Sequence, residues 1–564
     1  MTKPARYCVI GIMYTCINCI TAINPLLSQA EDTARVGEPY KLRGNRLVFT
    51  NWIYVRPGDV GWVDSGGKSV YADKSAMIDQ FGATWHPQDH MPWGVRLKAY
   101  KPSEIRIFTV EPEYPWEAGG TVTIGSVVWD DNVYKAWGGC RSGSCYFESG
   151  DGIVWKRPNL GLVDFQGSTE NNLIPSAPRG KVFIDPDSKD EHYKCIFEMS
   201  GAVTFEQYQE YIKRYPDDWG PRALREVDGK PLIVCLGGAV SSDGFHWKEL
   251  PEPVLMEHCD TDNIGYYDTG SRTYVAYIRT WNALTRDPDQ PVGENTRDTW
   301  FPASRRSIGM SVSDDFRHFP RSEMILEPGP DRAPTDDIYT NCFTWIPRAP
   351  DIKLMFPAIW HRHDDTTTIT MASSADGENW HWVPGGEQMI ETGPFGSWYG
   401  GCIFAFPPLM ELGNGDFALR FSAVDVPHKY PRGITRHETG IAIWPQGRIM
   451  AIVAPEKGEF ATVAIVPTGT KLYINARTMR SGSICVAVKT GLRRSGFTMA
   501  HDWEAVMGSI IPGREFENAI PIIGDHTRAL VRWKDAGDLG IKPGEPVVLL
   551  FRMEQAELFA LEFE

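Results

Sequence analysis

The residues of this chain whose types and placement could do chemistry are carboxylates at the starts of strand-like runs. Glu117 lies in Pro115-Trp116-Glu117, Asp260 and Asp262 flank Thr261, and Asp336 and Asp337 are adjacent. Asn171-Asn172 and Tyr399 hold the corresponding places in two other segments. Cleaving a glycosidic bond takes one carboxylic acid to protonate the leaving oxygen and one carboxylate to attack or to activate water. Asp262 and Asp337 are expected as the nucleophile/base pair or as organisers of the pocket, with Glu117 as the proton donor. Burial among Trp116, Trp398 and Tyr399 would raise the pKa of one of the three. Against this stands the plainer role of a strand-edge Asp, which caps a turn or pairs with a nearby Arg. Arg279, Arg306, His361 and His428 flank strand-like runs and are expected to hold hydroxyls or an anionic group. Trp116, Asn172 and Tyr399 complete the expected substrate contacts. Trp85, Trp93 and Trp281 offer faces on which a sugar ring stacks, although packing is the commoner fate of Trp.

Residues this far apart in sequence meet only if a scaffold brings them to one place, and a repeated phrase supplies the scaffold. Ser149-Gly-Asp151-Gly152-Ile-Val-Trp155 returns as Ser241 to Trp247 and as Ser374 to Trp380, and in worn form as Ser313 to Phe319. Asp-Gly makes a tight hairpin turn because Gly takes positive φ without a Cβ clash. Self-similarity at intervals of roughly 40–70 residues among strand-like runs reads as propeller blades. Five segments pair two strands about a turn, as in Thr121–Trp129 with Val133–Trp137 and Lys181–Ile184 with Tyr193–Phe197. In a propeller the innermost strands converge on one axis, so their entry ends form a single pocket.

The expected fold is therefore all-β: a five-bladed β-propeller over residues 111–450, then a β-sandwich over 451–564. A β-rich leader, 31–110, precedes it, and its strand at Glu104–Val110 is expected to cover a propeller edge. Two insertions interrupt the blades, an acidic, Tyr-rich and helical stretch within 202–230 and a Pro- and Asp-rich loop at 281–304. Long loops of this kind in compact domains are more often functional than idle.

Lys3 and Arg6 precede an apolar run from Tyr7 to about Ala22, with Ser28-Gln29-Ala30 before Glu31. That is the layout of a secretory signal peptide cleaved after Ala30, and it predicts a secreted or periplasmic protein. Of 11 cysteines, Cys8, Cys16 and Cys19 fall in this segment. Cys140 and Cys145 are close enough for a small disulfide loop, which export would permit. A net charge of −15, with no basic stripe, argues against a nucleic-acid partner. No second apolar stretch approaches membrane-spanning length, so no membrane partner is expected once the signal is removed. No cofactor is expected: the remaining chain has no CxxC or HExxH, and no loop signature supports a structural calcium.

Trp155-Lys-Arg-Pro-Asn-Leu-Gly161 with Asn171-Asn172, Phe183-Ile-Asp-Pro186, the blade phrase and the sandwich ending together resemble secreted glycoside hydrolases of the invertase/levanase and arabinanase type. The resemblance covers roughly residues 111–564 and implies a five-bladed propeller hydrolase acting on a polysaccharide or oligosaccharide. The family's Asn-Asp-Pro-Asn-Gly and Glu-Cys signatures do not occur, and Arg286-Asp287-Pro288 matches its Arg-Asp-Pro triplet only within a loop insertion. Two other readings remain open: a sialidase-like hydrolase, suggested by the Asp-Gly-Trp turn, and a propeller that binds carbohydrate without cleaving it.

Overall fold

The computed structural model describes residues 39–57, 92–214, 225–227, 230–257, 259–260, 262–283, 304–430, 435–491 and 509–564. The expected signal segment, Trp85, Arg286-Asp287-Pro288 and most of the 281–304 insertion lie outside the described residues. What is described is almost entirely β-strand, with one α-helix, Phe205–Arg214, in the first insertion. Thr204 and Gln207 cap that helix reciprocally, each backbone N–H donating to the other's side-chain oxygen at 2.9 and 3.1 Å.

The first blade is a meander of Thr123–Asp130, Val133–Cys140, Gly143–Ser149 and Leu173–Ile174. The second runs Lys181–Ile184, Tyr193–Ala202, Lys230–Ser241 and Lys248–Glu249, and the third Ile264–Asp268, Thr273–Ala283, Ser304–Ser313 and Glu323–Leu326. The fourth is split across its width. Asp336–Thr340, Ala358–His361 and Thr366–Ile369 pair at one end, and Phe343–Ile346, Ala349–Met355, Ala372–Ser374 and His381–Trp382 at the other. The split falls where Pro357 has no N–H for the ladder and where Cys342 takes a φ of +44°. Counted with the split blade as one, the sheets make five. Their innermost strands touch in sequence, and Cys402–Glu411 of the fifth returns to Thr123–Asp130 of the first.

The fifth blade explains why the phrase occurs four times. Its own strands are Cys402–Glu411, Phe417–Val424 and His437–Trp444, and its outermost strand is Glu104–Ile107 from the leader. No turn from third to fourth strand is needed there, so no Asp-Gly is present. In the other blades the phrase makes that turn. Ser149 Oγ accepts from Gly152 N–H at 2.8 Å, and Asp151 Oδ1 accepts from the N–H groups of Ile153 and Val154 at 2.9 and 2.8 Å. Asp243 and Asp376 repeat the arrangement, and Gly152, Gly244 and Gly377 have φ of +76°, +80° and +92°. Trp247 and Trp380 then fold back so that each indole N–H donates to the carbonyl of the turn glycine.

These hydrogen bonds hold the Asp243 and Asp376 carboxyls down at about 2 against burial, which acts the other way. A carboxyl depressed by folding stabilises above its ordinary value and loses that contribution as pH falls through the depressed value. Asp376→Ala should therefore cost on the order of 1 kcal/mol at neutral pH. It should also flatten the loss of thermal stability between pH 4 and 2, as measured by calorimetry across that range.

The C-terminal unit is one eight-stranded hydrogen-bonded sheet to which the leader contributes Tyr40–Lys41, Arg46–Leu47 and Arg96–Ala99. Among the described residues of the leader, these strands join this sheet and Glu104–Ile107 joins blade five. The runs 471–476 and 483–488 are halves of a single strand, Leu472–Thr490, and 547–552 and 556–563 are halves of Val547–Phe563. Register breaks at Thr478/Ser483, and Gln555 takes a φ of +42°, so the long strands bend there without ending. Val547, Leu549 and Phe551 face the largest core, while Val548 and Leu550 pack on the other side with Ile510 and Phe516. The same large core takes in Leu354, Phe356, Ile403 and Leu419 of blades four and five, so the propeller and the C-terminal sheet share an interior.

The thiols of Cys140 and Cys145 face each other across the hairpin of blade one, with Sγ atoms 2.8 Å apart.

Candidate active site

In an antiparallel blade the first strand starts, the second ends and the third starts on the same face. At blades two to four that face gathers Glu198 from the end of Tyr193–Ala202, Asp260 and Asp262 before Ile264–Asp268, and Arg279 and Trp281 near the end of Thr273–Ala283. Arg306 near the start of Ser304–Ser313, Asp337 and Tyr339 of Asp336–Thr340, and Trp360, His361 and Arg362 complete the group.

Asp262 has a φ of +58°, a conformation that Asp tolerates better than most residues. Its backbone carbonyl is fixed by Asn341 Nδ2 at 3.1 Å. Its carboxylate makes no hydrogen bond to the described residues and remains partly exposed at the cleft. Burial pushes its pKa up and the charge of Asp260 adds to that, while Lys181 and Arg279 pull it down. Lys181, at the entry of blade two, is itself lowered by burial, and its ammonium lies 4.2 Å from the Phe406 ring centroid.

The side chains of Glu198 and Asp260 hydrogen-bond to each other. Burial and the Asp260 charge both raise the Glu198 pKa. Glu198 is exposed to the cleft, and Asp260 forms an ion pair with Arg279. Burial raises the pKa of both Glu198 and Asp262, and only Asp262 has no hydrogen bond to the described residues.

Asp337 is fully buried and held by Arg362, whose Nε and Nη2 each donate to it at 2.9 Å. The backbone N–H of Arg306 donates to the same carboxylate at 3.1 Å. The Asp337 carboxylate is thus engaged within the protein by Arg362 and by the Arg306 backbone. Asp336 is occupied in the same way: it accepts from His361 Nδ1 at 2.9 Å, while His361 Nε2 meets Thr368 Oγ1 at 3.0 Å. His361 is thereby a positioning residue. His428 Nε2 meets the Tyr339 hydroxyl at 2.8 Å. The guanidiniums of Arg279 and Arg306 lie 4.8 and 4.6 Å from the Tyr339 ring centroid, and that of Arg306 also stacks on Trp281 and Trp360.

The expectation for Glu117 needs correction. It is fully buried, with Arg157 Nε and Nη2 on its two oxygens at 3.0 and 3.2 Å and the Glu113 N–H at 2.8 Å. A carboxylate paired with a buried arginine and closed off from solvent does not hand a proton to a leaving group. Trp116 and Asn172 belong to the same blade-one packing: Trp116 Nε1 donates to Asn172 Oδ1, and Asn172 Nδ2 donates to the Tyr146 carbonyl, both at 2.8 Å. Asn172 is fully buried, and these contacts hold the pair within blade one. Tyr399 packs with Trp398 against the large core, and Trp93 bridges to Glu459 of the C-terminal sheet. Glu198 was absent from the expected set, yet it stands where a second strand ends on the face at which first strands begin.

No family model and no curated protein matches the chain. Among solved structures it is similar to a protein described as a glycoside hydrolase, at 12% identity and a TM-score of 0.33, covering 61% of this chain and 92% of that one. It is also similar to sucrose-6-phosphate hydrolase from Lactobacillus gasseri, at 9% identity and TM-score 0.31, over 77% of this chain and 91% of the other. A third is the endo-arabinase from Bacteroides thetaiotaomicron, at 9% identity and TM-score 0.32, over 60% of this chain and 97% of that enzyme.

Proposed function

We propose that the chain is a glycosidase whose site lies at the mouth of blades two to four. The observation that carries this is the pairing of Glu198 with Asp260 beside the unpartnered Asp262. Glu198 acts as the general acid on the glycosidic oxygen, its pKa raised by burial and by the neighbouring Asp260. Asp262 is the carboxylate that attacks the anomeric carbon or activates water, with the charges of Lys181 and Arg279 opposing the upward push of burial on its pKa. Trp281, Trp360 and Tyr339 line the site. Tyr339 shares its hydroxyl with His428, which does not favour the tyrosine–glutamate nucleophile of a sialidase-like enzyme. Export belongs to the same proposal and rests on the pattern of Lys3, Arg6 and Ser28-Gln29-Ala30.

The test is release of reducing sugar from a panel of polysaccharides and oligosaccharides by the full chain. No release from any of them, with sugar binding retained, would favour the non-catalytic reading. The acid assignment is tested by pH. A proton donor with a raised pKa works below that value and fails as pH rises through it, so wild-type activity should carry an alkaline limb. Glu198→Gln should abolish that limb and lower turnover of natural glycosides by roughly 10²–10⁴-fold. Aryl glycosides whose leaving group needs no proton should be nearly unaffected.

A further inference from the structure

A cavity of about 650 Å³ lies inside the ring of blades, and all five contribute to its wall: Val127, Val182 and Phe183, Ile264, Phe343 and Pro407. It reaches the face away from the cleft, where first strands end at Asp130, Ile184 and Asp268. There Trp129 and Trp345 line it while remaining 50% and 44% exposed. A space of this size holds a small organic molecule, and walls of aliphatic and aromatic side chains suit an apolar body.

The charged groups along the cavity are paired, with one exception. Asp268 lies 3.7 Å from both Arg43 and Lys353, Arg348 holds Glu411 at 2.8 Å, and Lys135 holds Asp130 at 2.7 Å. Lys181 lines the cavity where the first strand of blade two begins, and it remains partly accessible. It has no hydrogen bond or ion pair among the described residues. Its ammonium has the Phe406 ring centroid at 4.2 Å, the charge of Asp262 at longer range and the like charge of Arg420 against it. Arg420 is fully buried and donates to the carbonyls of Ile124 and Gly125. An ammonium carries three donors, and leaving them unmade in a partly dry place is costly.

We propose that this cavity is a second ligand site and that it takes an aromatic carboxylic acid, the ring lying among Phe183, Ile264 and Phe343 and the carboxylate meeting Lys181. A neutral aromatic molecule would cover the same walls and leave the ammonium without a counter-charge. A small inorganic anion would reach the ammonium and leave the walls facing water. The site stands whether or not the cleft cleaves glycosides.

The experiment is calorimetric titration of the full chain with sodium 3-phenylpropionate, 3-phenyl-1-propanol and sodium propionate, which carry ring and charge, ring alone and charge alone. The phenylpropionate should bind at least about tenfold more tightly than either of the others, the worth of one charge-assisted hydrogen bond. Lys181→Met, which keeps the apolar stem, should make the acid bind no better than the alcohol. Trp345→Ala removes a ring from an exposed position and should weaken acid and alcohol alike; where Lys181→Met does not fold, this variant carries the test. No binding of the acid, equal binding of acid and alcohol by the wild type, or acid binding untouched by Trp345→Ala would overturn the proposal.

Discussion

Asp262→Asn is expected to lower hydrolysis by roughly 10³-fold or more while leaving the fold and sugar binding intact. The substitution is nearly isosteric, and Asn accepts the φ of +58° at this position as readily as Asp does. The side chain makes no hydrogen bond to the described residues, so its loss breaks none. What disappears is the charge that attacks the anomeric carbon or deprotonates water. Initial rates on the best substrate, with a melting curve as control, measure the effect. Wild-type rates from Asp262→Asn would remove this residue from the chemistry.

The second large effect concerns stability. Asp337 is the counter-charge of a buried bidentate pair, and its carboxylate also receives the backbone N–H of Arg306. Asp337→Ala would remove the carboxylate that Arg362 holds bidentately and the acceptor of the Arg306 N–H. Breaking a buried pair by removing one side costs on the order of 3–5 kcal/mol. The cost here should lie toward the low end, because the Arg362 side chain keeps 20% exposure and can turn to water. Activity should fall with stability, since Arg306 would lose its position beneath Tyr339. Chemical denaturation of wild type, Asp337→Asn and Asp337→Ala should give that order of decreasing stability. Equal midpoints would mean that the pair organises nothing.

The architecture was legible because its signals are local. Asp-Gly turns followed by an aromatic mark the third-to-fourth strand turn of three blades and the worn copy Ser313 to Phe319 that of a fourth, and short alternating runs mark the strands. Other features were illegible for physical reasons. The sequence Thr478 to Ser483 has the composition of a turn, but the ladder to Val547–Phe563 resumes beyond it, so it is a bulge. The fifth blade's missing strand comes from Glu104–Ile107, more than three hundred positions away from its partner, and only its alternation hinted at an edge.

The entry-end rule pointed to Asp262 and Asp337, and the structure places both on the face where the first strands of consecutive blades begin. It found Glu117 by the same rule and was misled. Arg157, which neutralises Glu117, lies 40 residues on and outside any local pattern. Glu198, the acid of the proposed site, was not among the expected residues because only strand starts were searched. The second strand runs on beyond Phe197 to Ala202 and delivers Glu198 to the same face.

The most direct test of the account is a crystal structure of Asp262→Asn bound to a slowly cleaved oligosaccharide. The account predicts a scissile linkage at the mouth of blades two to four, with the anomeric carbon next to residue 262 and the glycosidic oxygen within hydrogen-bond reach of Glu198. An oligosaccharide seated elsewhere, such as in the apolar cavity of about 650 Å³ along the axis between Phe183, Tyr266 and Phe343, would contradict it.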